Sequence, residues 1–242
     1  MLKTYPLFLI GLDRRRCVVL GGGEEAEHKV DGLLACDARV TLIAAEITDS
    51  LRHHVDLGRI EWVERDYQPG DLHGAFLAIA AGFDHELNAA AWQEAEAERV
   101  LMNAADDVPH CSYIAGSVVR RGLLTVAIST GGCAPALAVR LRERLERMLG
   151  AEYDLFLRWM WDLRDVIAGR HADFADRRRL WYRLVDSDIL GLLRSGRILQ
   201  ARRRLHAVLE DDDLPAGHGA RRPPAAAPPS ASLSPGQRSE GP

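Results

Sequence analysis

The sequence predicts an α/β fold: a parallel sheet with covering helices, followed by a small all-helical C-terminal domain. Three observations predict it. Short apolar runs alternate with segments of helical periodicity through the first hundred or so residues. The run Cys17-Val18-Val19-Leu20 stops at Gly21-Gly22-Gly23 and a helical segment begins at once. From Tyr153 to Leu209 the chain reads as helix throughout.

The glycine turn carries the most information. Gly21, Gly23 and Ala26 occupy the G-x-G-x-x-G/A positions of a Rossmann-type dinucleotide-binding unit. The first glycine allows the tight turn, the second lets the backbone approach a pyrophosphate, and the small third residue lets helix and strand pack closely. The free N–H groups and positive end of the helix then face phosphate. The alternative is a glycine turn in some other α/β fold.

The elements follow in order. Residues 6–12 read as a leader or edge strand, and Asp13-Arg14-Arg15 as a turn. The run 17–20 is the first parallel strand, apolar on both faces. The first helix spans 24–35, with Ala26, Val30, Leu33 and Leu34 as its inner stripe. A second strand follows at 39–43, then a helix at 46–54. An acid near the end of the second strand would hold the adenosine ribose; Glu46 stands there, and reads equally as a dipole-favoured residue of the next helix. No arginine adjoins Glu46, although Arg52 is near, which favours NAD over NADP. Strands are predicted at 60–63, 75–81 and 100–103, with a helix at 87–98. Gly82-Phe83-Asp84 forms a loop on the edge where open parallel sheets hold ligands. Asp106 and Asp107 end the fifth strand. Paired carboxylates there suit a general base, because a neighbouring like charge raises one pKa, or else form a solvated acidic turn. A further strand at 123–129 leads into Ser129-Thr130-Gly131-Gly132-Cys133-Ala134-Pro135, which reads as an anion-binding turn or as ordinary helix capping. The arginine-rich helix 136–149 carries Leu137, Leu141, Leu145 and Leu149 on one stripe, suited to burial against the sheet domain or a second subunit. Helices then span 152–168, 172–185, 188–193 and 196–210, with Trp159, Trp161 and Trp181 as core anchors. His171 and His206 are isolated. Residues 211–242 hold seven of the eleven prolines and read as a disordered Pro/Ala-rich tail.

Composition is that of a globular protein of 242 residues, 47% hydrophobic and 27% charged, with net charge −4. Nothing in that balance points to nucleic acid. The charge is uneven: residues 1–135 carry net −8, and residues 136–210 net +5 with arginine as every basic residue. Cys17, Cys36, Cys111 and Cys133 show no metal-ligand spacing, so no metal site is expected and a reduced, cytoplasmic protein is the simplest reading. The apolar run 7–12 is too short for a membrane span and precedes its basic cluster, unlike a signal peptide.

Taken together, these motifs resemble the precorrin-2 dehydrogenase/sirohydrochlorin ferrochelatase family, the dehydrogenase–chelatase module of siroheme synthase. The resemblance covers about residues 3–210. It rests on Tyr5-Pro6-Leu7-Phe8, on Val18-Val19-Leu20-Gly21-Gly22-Gly23 with Ala26 and Lys29, and on Ala78-Ile79-Ala80-Ala81. Asn103-Ala104-Ala105-Asp106, Ser112-Tyr113, and Val126-Ala127-Ile128-Ser129-Thr130-Gly131-Gly132 with Pro135 complete it. It implies a homodimer with an NAD-binding domain (1–112), a dimerisation segment (113–150) and a helical domain (151–210). The implied reaction is NAD-dependent oxidation of precorrin-2 to sirohydrochlorin; some members then insert ferrous iron. Asp106 takes the place of the family's key aspartate. Gly21, Gly22, Gly23, Glu24, Glu25, Ala45, Glu46, Ala81 and Asn103 fall on cofactor positions, and Ser129, Thr130 and Gly131 on substrate positions. The arginine-only charge of the second half suits a polycarboxylate substrate, with Arg120, Arg121 and Arg140 as candidate clamps or, alternatively, as solvated helix faces. The chain departs from the family at Gly82-Phe83, which replaces a hydroxyl residue, and at Cys133-Ala134. A dehydrogenase without chelatase activity and a non-enzymatic NAD-sensing module are the alternative readings.

Overall fold

The computed structural model describes residues 3–212, so the predicted tail lies, from residue 213 onward, outside the described residues. Five strands form one parallel sheet: β1 (Arg16–Leu20), β2 (Arg39–Ile43), β3 (Ile60–Val63), β4 (Leu77–Ala80) and β5 (Leu101–Ala104). Their order is β3-β2-β1-β4-β5, and every neighbouring pair is parallel. Direction of growth reverses between β1 and β4, which opens a crevice beyond their carboxyl ends.

The apolar runs explain the layering. Successive side chains of β1 alternate faces, and both faces are covered. Cys17 and Val19 pack with Ala26, Val30 and Leu33 of α1 (Glu24–Leu34) and Leu51 of α2 (Asp49–Asp56). Val18 and Leu20 pack instead with Ala91 and Ala95 of α3 (His85–Glu98) and Met102 of β5. Ala26 is fully buried, as the third position of the glycine motif requires.

Two expectations are corrected here. Residues 6–12 form no strand; after an irregular stretch, a 3-10 turn spans Leu12–Arg14, and Tyr5, Leu7, Phe8 and Ile10 stay exposed. The second helix starts at Asp49, because the Thr48 side chain accepts the Leu51 N–H and caps it there. Glu46 therefore stands in a bend before the helix, and its reading as a first-turn residue falls away.

Beyond the sheet, β6 (Ser117–Arg121) and β7 (Leu124–Ile128) form an antiparallel hairpin closed by Gly122 and Leu123. Gly122 takes φ 56°, which a two-residue hairpin loop calls for. The helix α4 (Pro135–Met148) packs on β6. Arg121 donates to the carbonyls of Leu149 (2.8 Å) and Glu146 (3.0 Å), capping the carboxyl end of α4. Leu137, Leu141 and Met148 of α4 remain exposed, as do Val118 and Leu123 of the hairpin.

The described chain forms two compact units that divide after Trp159. The second takes in the end of α5 (Glu152–Arg170) with α6 (Phe174–Val185), α7 (Ile189–Arg194) and α8 (Ile198–Glu210), all close to the predicted spans. Ile167, Leu180, Leu184, Ile189, Ala201 and Val208 form its interior. Of the tryptophans read as anchors, Trp159 is buried and Trp181 half-buried, but Trp161 is 64% exposed. Among the described residues no helix is long and apolar enough to cross a membrane.

Candidate functional site

The site begins where β1 ends. Gly21 turns with φ 105°, and a Cβ there would lie 3.2 Å from the Gly82 nitrogen, so the loops after β1 and β4 touch. Gly22 is the more constrained position. A Cβ on it would fall 1.9 Å from the carbonyl oxygen of Glu46, and its own carbonyl accepts the Thr48 N–H at 3.1 Å. The middle glycine of the three is thus demanded by the fold. Gly23 caps α1 without any side-chain hydrogen bond, and a Cβ there would meet open space. The first N–H groups of α1 are left without a capping side chain, which together with the helix dipole suits an anion. A cleft of about 680 Å³ opens over them, lined by Gly22, Gly23, Glu24, Glu25, His28, Ala81, Gly82 and Phe83. Lys29 pairs with Glu25 and offsets one of the acids in this first turn. The residues present therefore fit a dinucleotide held through backbone.

Five predicted cofactor residues line that cleft: Gly22, Gly23, Glu24, Glu25 and Ala81. Gly21 shapes it from behind. Ala45 and Glu46 are exposed at the end of β2. Arg52 is engaged over the Trp62 ring at 4.9 Å. His28 was missed, and Phe83 was placed on the ligand edge only as part of its loop, with no role of its own. His28 lies four residues after Glu24, on the same helical face, which is the signal that reveals it. Phe83 is 59% exposed with φ 55°, an unusual conformation for a bulky residue and one that the sequence pattern does not announce.

The loop after β5 carries the candidate base. Ala104 to Asp107 make a turn in which Asp107 N–H donates to Ala104 C=O. Asp106 occupies its left-handed position, φ 56°, and is exposed. Asp107 sits in different surroundings. It is only 6% exposed and accepts from His85 Nδ1 (3.1 Å), Asn88 Nδ2 (3.0 Å) and His110 Nδ1 (2.9 Å), all on Oδ2. These bonds, His110 first, hold its carboxyl down at about 2. The expectation that adjacent acids would raise a pKa is thus overturned for Asp107: its neighbours are donors, and they outweigh the burial that would raise it. Cys111 knits the same loop, with its Sγ near the Ala104 N–H (3.2 Å) and the Asp107 carbonyl (3.3 Å), and burial pushes its thiol up.

The other predicted residues are placed as follows. Asn103 is buried, and its Nδ2 donates to the Tyr113 carbonyl at 3.1 Å, anchoring the segment beyond the loop. The Ser129 hydroxyl accepts the Gly131 N–H (3.1 Å), and the Thr130 hydroxyl accepts the Ala134 N–H (3.2 Å). Those two amides are satisfied inside the turn, and α4 has no side-chain cap at its N-cap residue Ala134, so these contacts are the turn's own and not helix capping. Arg120 does not reach the cleft within its own chain. It donates to Ala35 C=O (3.5 Å) and approaches Cys36 Sγ (3.4 Å), at the far end of α1, about 16 Å along the helix from the glycine turn. Arg140 is exposed and pairs with Glu143 on its own helix at 2.9 Å. Among the described residues no cluster of His, Cys, Asp and Glu is arranged to hold a metal.

Comparison with known proteins divides the chain into three consecutive regions. A family described as "Putative NAD(P)-binding" matches residues 8–117. One described as sirohaem biosynthesis protein, central, matches 121–148, and the sirohaem synthase dimerisation region matches 152–209. Siroheme synthase 1 of Pectobacterium atrosepticum is 38% identical over 215 residues, 87% of this chain and 45% of that protein. Siroheme synthase of Photorhabdus laumondii is 34% identical over 209 residues, 86% of this chain and 44% of that one. The chain thus spans about half the length of the curated relatives it matches. A solved structure titled SirC, precorrin-2 dehydrogenase, superposes with a TM-score of 0.66 at 22% identity, covering 86% of this chain and all of that one; this likeness is one of fold.

Proposed function

Because this chain belongs to the precorrin-2 dehydrogenase/sirohydrochlorin ferrochelatase family, the dehydrogenase–chelatase module of siroheme synthase, we propose that it oxidises precorrin-2 to sirohydrochlorin with NAD and then inserts ferrous iron. The observation that carries the reading is the amino end of α1, left uncapped by Gly23, over a cleft of about 680 Å³ on the same sheet edge as Asp106. Backbone N–H groups of the first turn hold the pyrophosphate, and the small residues Gly22, Gly23 and Ala81 admit it. The exposed Glu46 at the end of β2, with Arg52 occupied by Trp62, favours a ribose with free hydroxyls, hence NAD over NADP.

NAD supplies a hydride acceptor. The chain supplies position and a base. As the macrocycle gives up a hydride, the Asp106 carboxylate takes the accompanying proton, so that two electrons and two hydrogens leave the substrate. The hydroxyls of Ser129 and Thr130 keep their hydrogens for the substrate's carboxylates. We assign the active form as a homodimer: the exposed Leu137, Leu141 and Met148 of α4 with Val118 and Leu123 form an apolar surface that a second copy would cover. The four free thiols accord with the cytoplasm.

The test is direct. Pure protein is incubated with precorrin-2 and NAD, then with ferrous iron, while NADH and the tetrapyrrole absorption spectrum are followed. NAD-dependent appearance of sirohydrochlorin is expected. Its absence overturns the dehydrogenase assignment.

A further inference from the structure

The geometry points to a second proton acceptor beside Asp106: the imidazoles of His85 and His110, held by Asp107, which serve when a metal enters the macrocycle. The inference rests on the preceding reading for its substrate, and goes further in separating the groups needed for metal insertion from those needed for dehydrogenation.

Asp107 is a carboxylate almost without solvent, yet it is not paired with arginine or lysine. Three N–H donors converge on its Oδ2, two of them imidazole Nδ1 atoms. A carboxylate can only accept, so it fixes Nδ1 as the protonated nitrogen of each neutral ring and leaves the lone pair on Nε2. Neither Nε2 has a hydrogen-bond partner among the described residues. His85 is 79% exposed in its side chain; His110 is 28% exposed and lies beside the Trp92 ring at 6.5 Å. The third donor, Asn88, is 1% exposed, and its amide oxygen has no partner. Leaving a buried acceptor unpaired is unfavourable, and it accompanies the one amide that steadies Asp107. The depressed pKa of Asp107 keeps it ionised, so a proton arriving on either ring meets a fixed negative charge.

The cluster adjoins the cleft wall and the candidate base along the chain. His85 opens α3 two residues beyond Phe83 of the cleft wall, and Asp107 directly follows Asp106. The stoichiometry asks for it. Dehydrogenation releases one proton alongside the hydride, and Asp106 suffices. Insertion of a divalent metal breaks two N–H bonds and forms metal–nitrogen bonds without any change of oxidation state; two protons leave as two positive charges enter. One carboxylate holds one proton at a time. The second passes to an imidazole Nε2, forming an N–H bond and an imidazolium paired with Asp107. Asp107 is here a positioning residue, and the two histidines are the acceptors.

The test uses the full chain and two separate assays: NAD-dependent oxidation of precorrin-2 without metal, and ferrous iron insertion into supplied sirohydrochlorin without NAD. For the double variant His85→Gln/His110→Gln, iron insertion is expected to fall about a hundredfold relative to dehydrogenation, and added imidazole restores part of it. Asp107→Asn is expected to reduce the same ratio about tenfold. Retention of wild-type insertion by the double variant overturns the proposal. So does an equal fall in both activities with NAD binding intact and no imidazole rescue, which marks the cluster as structural. Wild-type protein that inserts no iron above the spontaneous rate also overturns it while leaving the dehydrogenase reading standing. Wild-type protein that inserts iron but forms no sirohydrochlorin sinks that reading instead, and the variants still decide the proposal.

Discussion

Replacing Gly22 and Gly23 separately by alanine divides the demands of the fold from those of the cofactor. At Gly22 the new methyl falls 1.9 Å from the Glu46 carbonyl oxygen, where ordinary contact begins at 3.4 Å. The bend after β2 must retreat by about 1.5 Å, since both partners are backbone and neither has a rotamer to change. Forced overpacking of this kind costs about 1–3 kcal/mol. The Thr48 N–H to Gly22 C=O bond, 3.1 Å long, is pulled open by the same movement and adds about 1 kcal/mol. Gly22→Ala is therefore expected to lose about 2–4 kcal/mol, which for a chain of this size lowers Tm by about 5–15 °C. Gly23→Ala meets nothing within 4 Å. It should melt within a few degrees of the unaltered protein, while its methyl stands between the α1 amides and a pyrophosphate and weakens NAD about tenfold, or about 1.4 kcal/mol. Scanning calorimetry and titration calorimetry on both variants give the four values. A Gly22→Ala protein that melts normally, or a Gly23→Ala protein that binds NAD normally, refutes the assignment of roles.

Asp106→Asn keeps the left-handed turn, which asparagine tolerates, and removes the base; kcat for sirohydrochlorin formation should fall at least about a hundredfold with NAD affinity within about twofold. Arg121→Ala strips two carbonyl partners from the end of α4 and should cost about 1.5–3 kcal/mol, read as a lower urea midpoint at constant slope. Asp107 titrates from its ordinary 3.8 when unfolded and at about 2 when folded, so its contribution is complete well above pH 4, declines as pH falls through that interval, and is gone below it; Asp107→Asn should lack this part of the acid unfolding curve. Leu137→Asp with Leu141→Asp should weaken self-association at least about tenfold in sedimentation equilibrium, if the exposed α4 face is the dimer contact.

The sheet was legible because its central strands are buried on both faces, and continuous runs such as Leu77–Ala80 have few other uses. The helical second unit was legible from its 3.6-residue periodicity. Short-range signals failed where a single side chain moved a boundary: Thr48 shifts the start of α2, and with it the meaning of Glu46. Residues 6–12 form no strand although they are an apolar run, because such a run becomes a strand only where a neighbour exists to pair with it. At the site, the glycine turn could be read from spacing, since its logic is local. The opposite behaviour of Asp106 and Asp107 could not. Their difference depends on His85 and Asn88, some twenty residues earlier in the chain, and on a left-handed turn that places adjacent side chains in unlike surroundings. Arginine content likewise indicated a taste for carboxylates without saying which arginines would already be occupied by carbonyls.

The φ of 56° at Asp106 also governs what can replace it over generations. Only glycine, asparagine and aspartate enter that conformation at little cost. Of these, aspartate alone can accept a proton as a carboxylate. Glutamate, the usual conservative exchange, carries the right chemistry on a backbone that resists the turn. The position is thus filtered twice, by geometry and by acidity, and the two filters overlap on one amino acid. A lineage that gave up the chemistry would be expected to drift to asparagine or glycine there, and a survey of residues at this turn would separate working enzymes from retired ones before any assay was run.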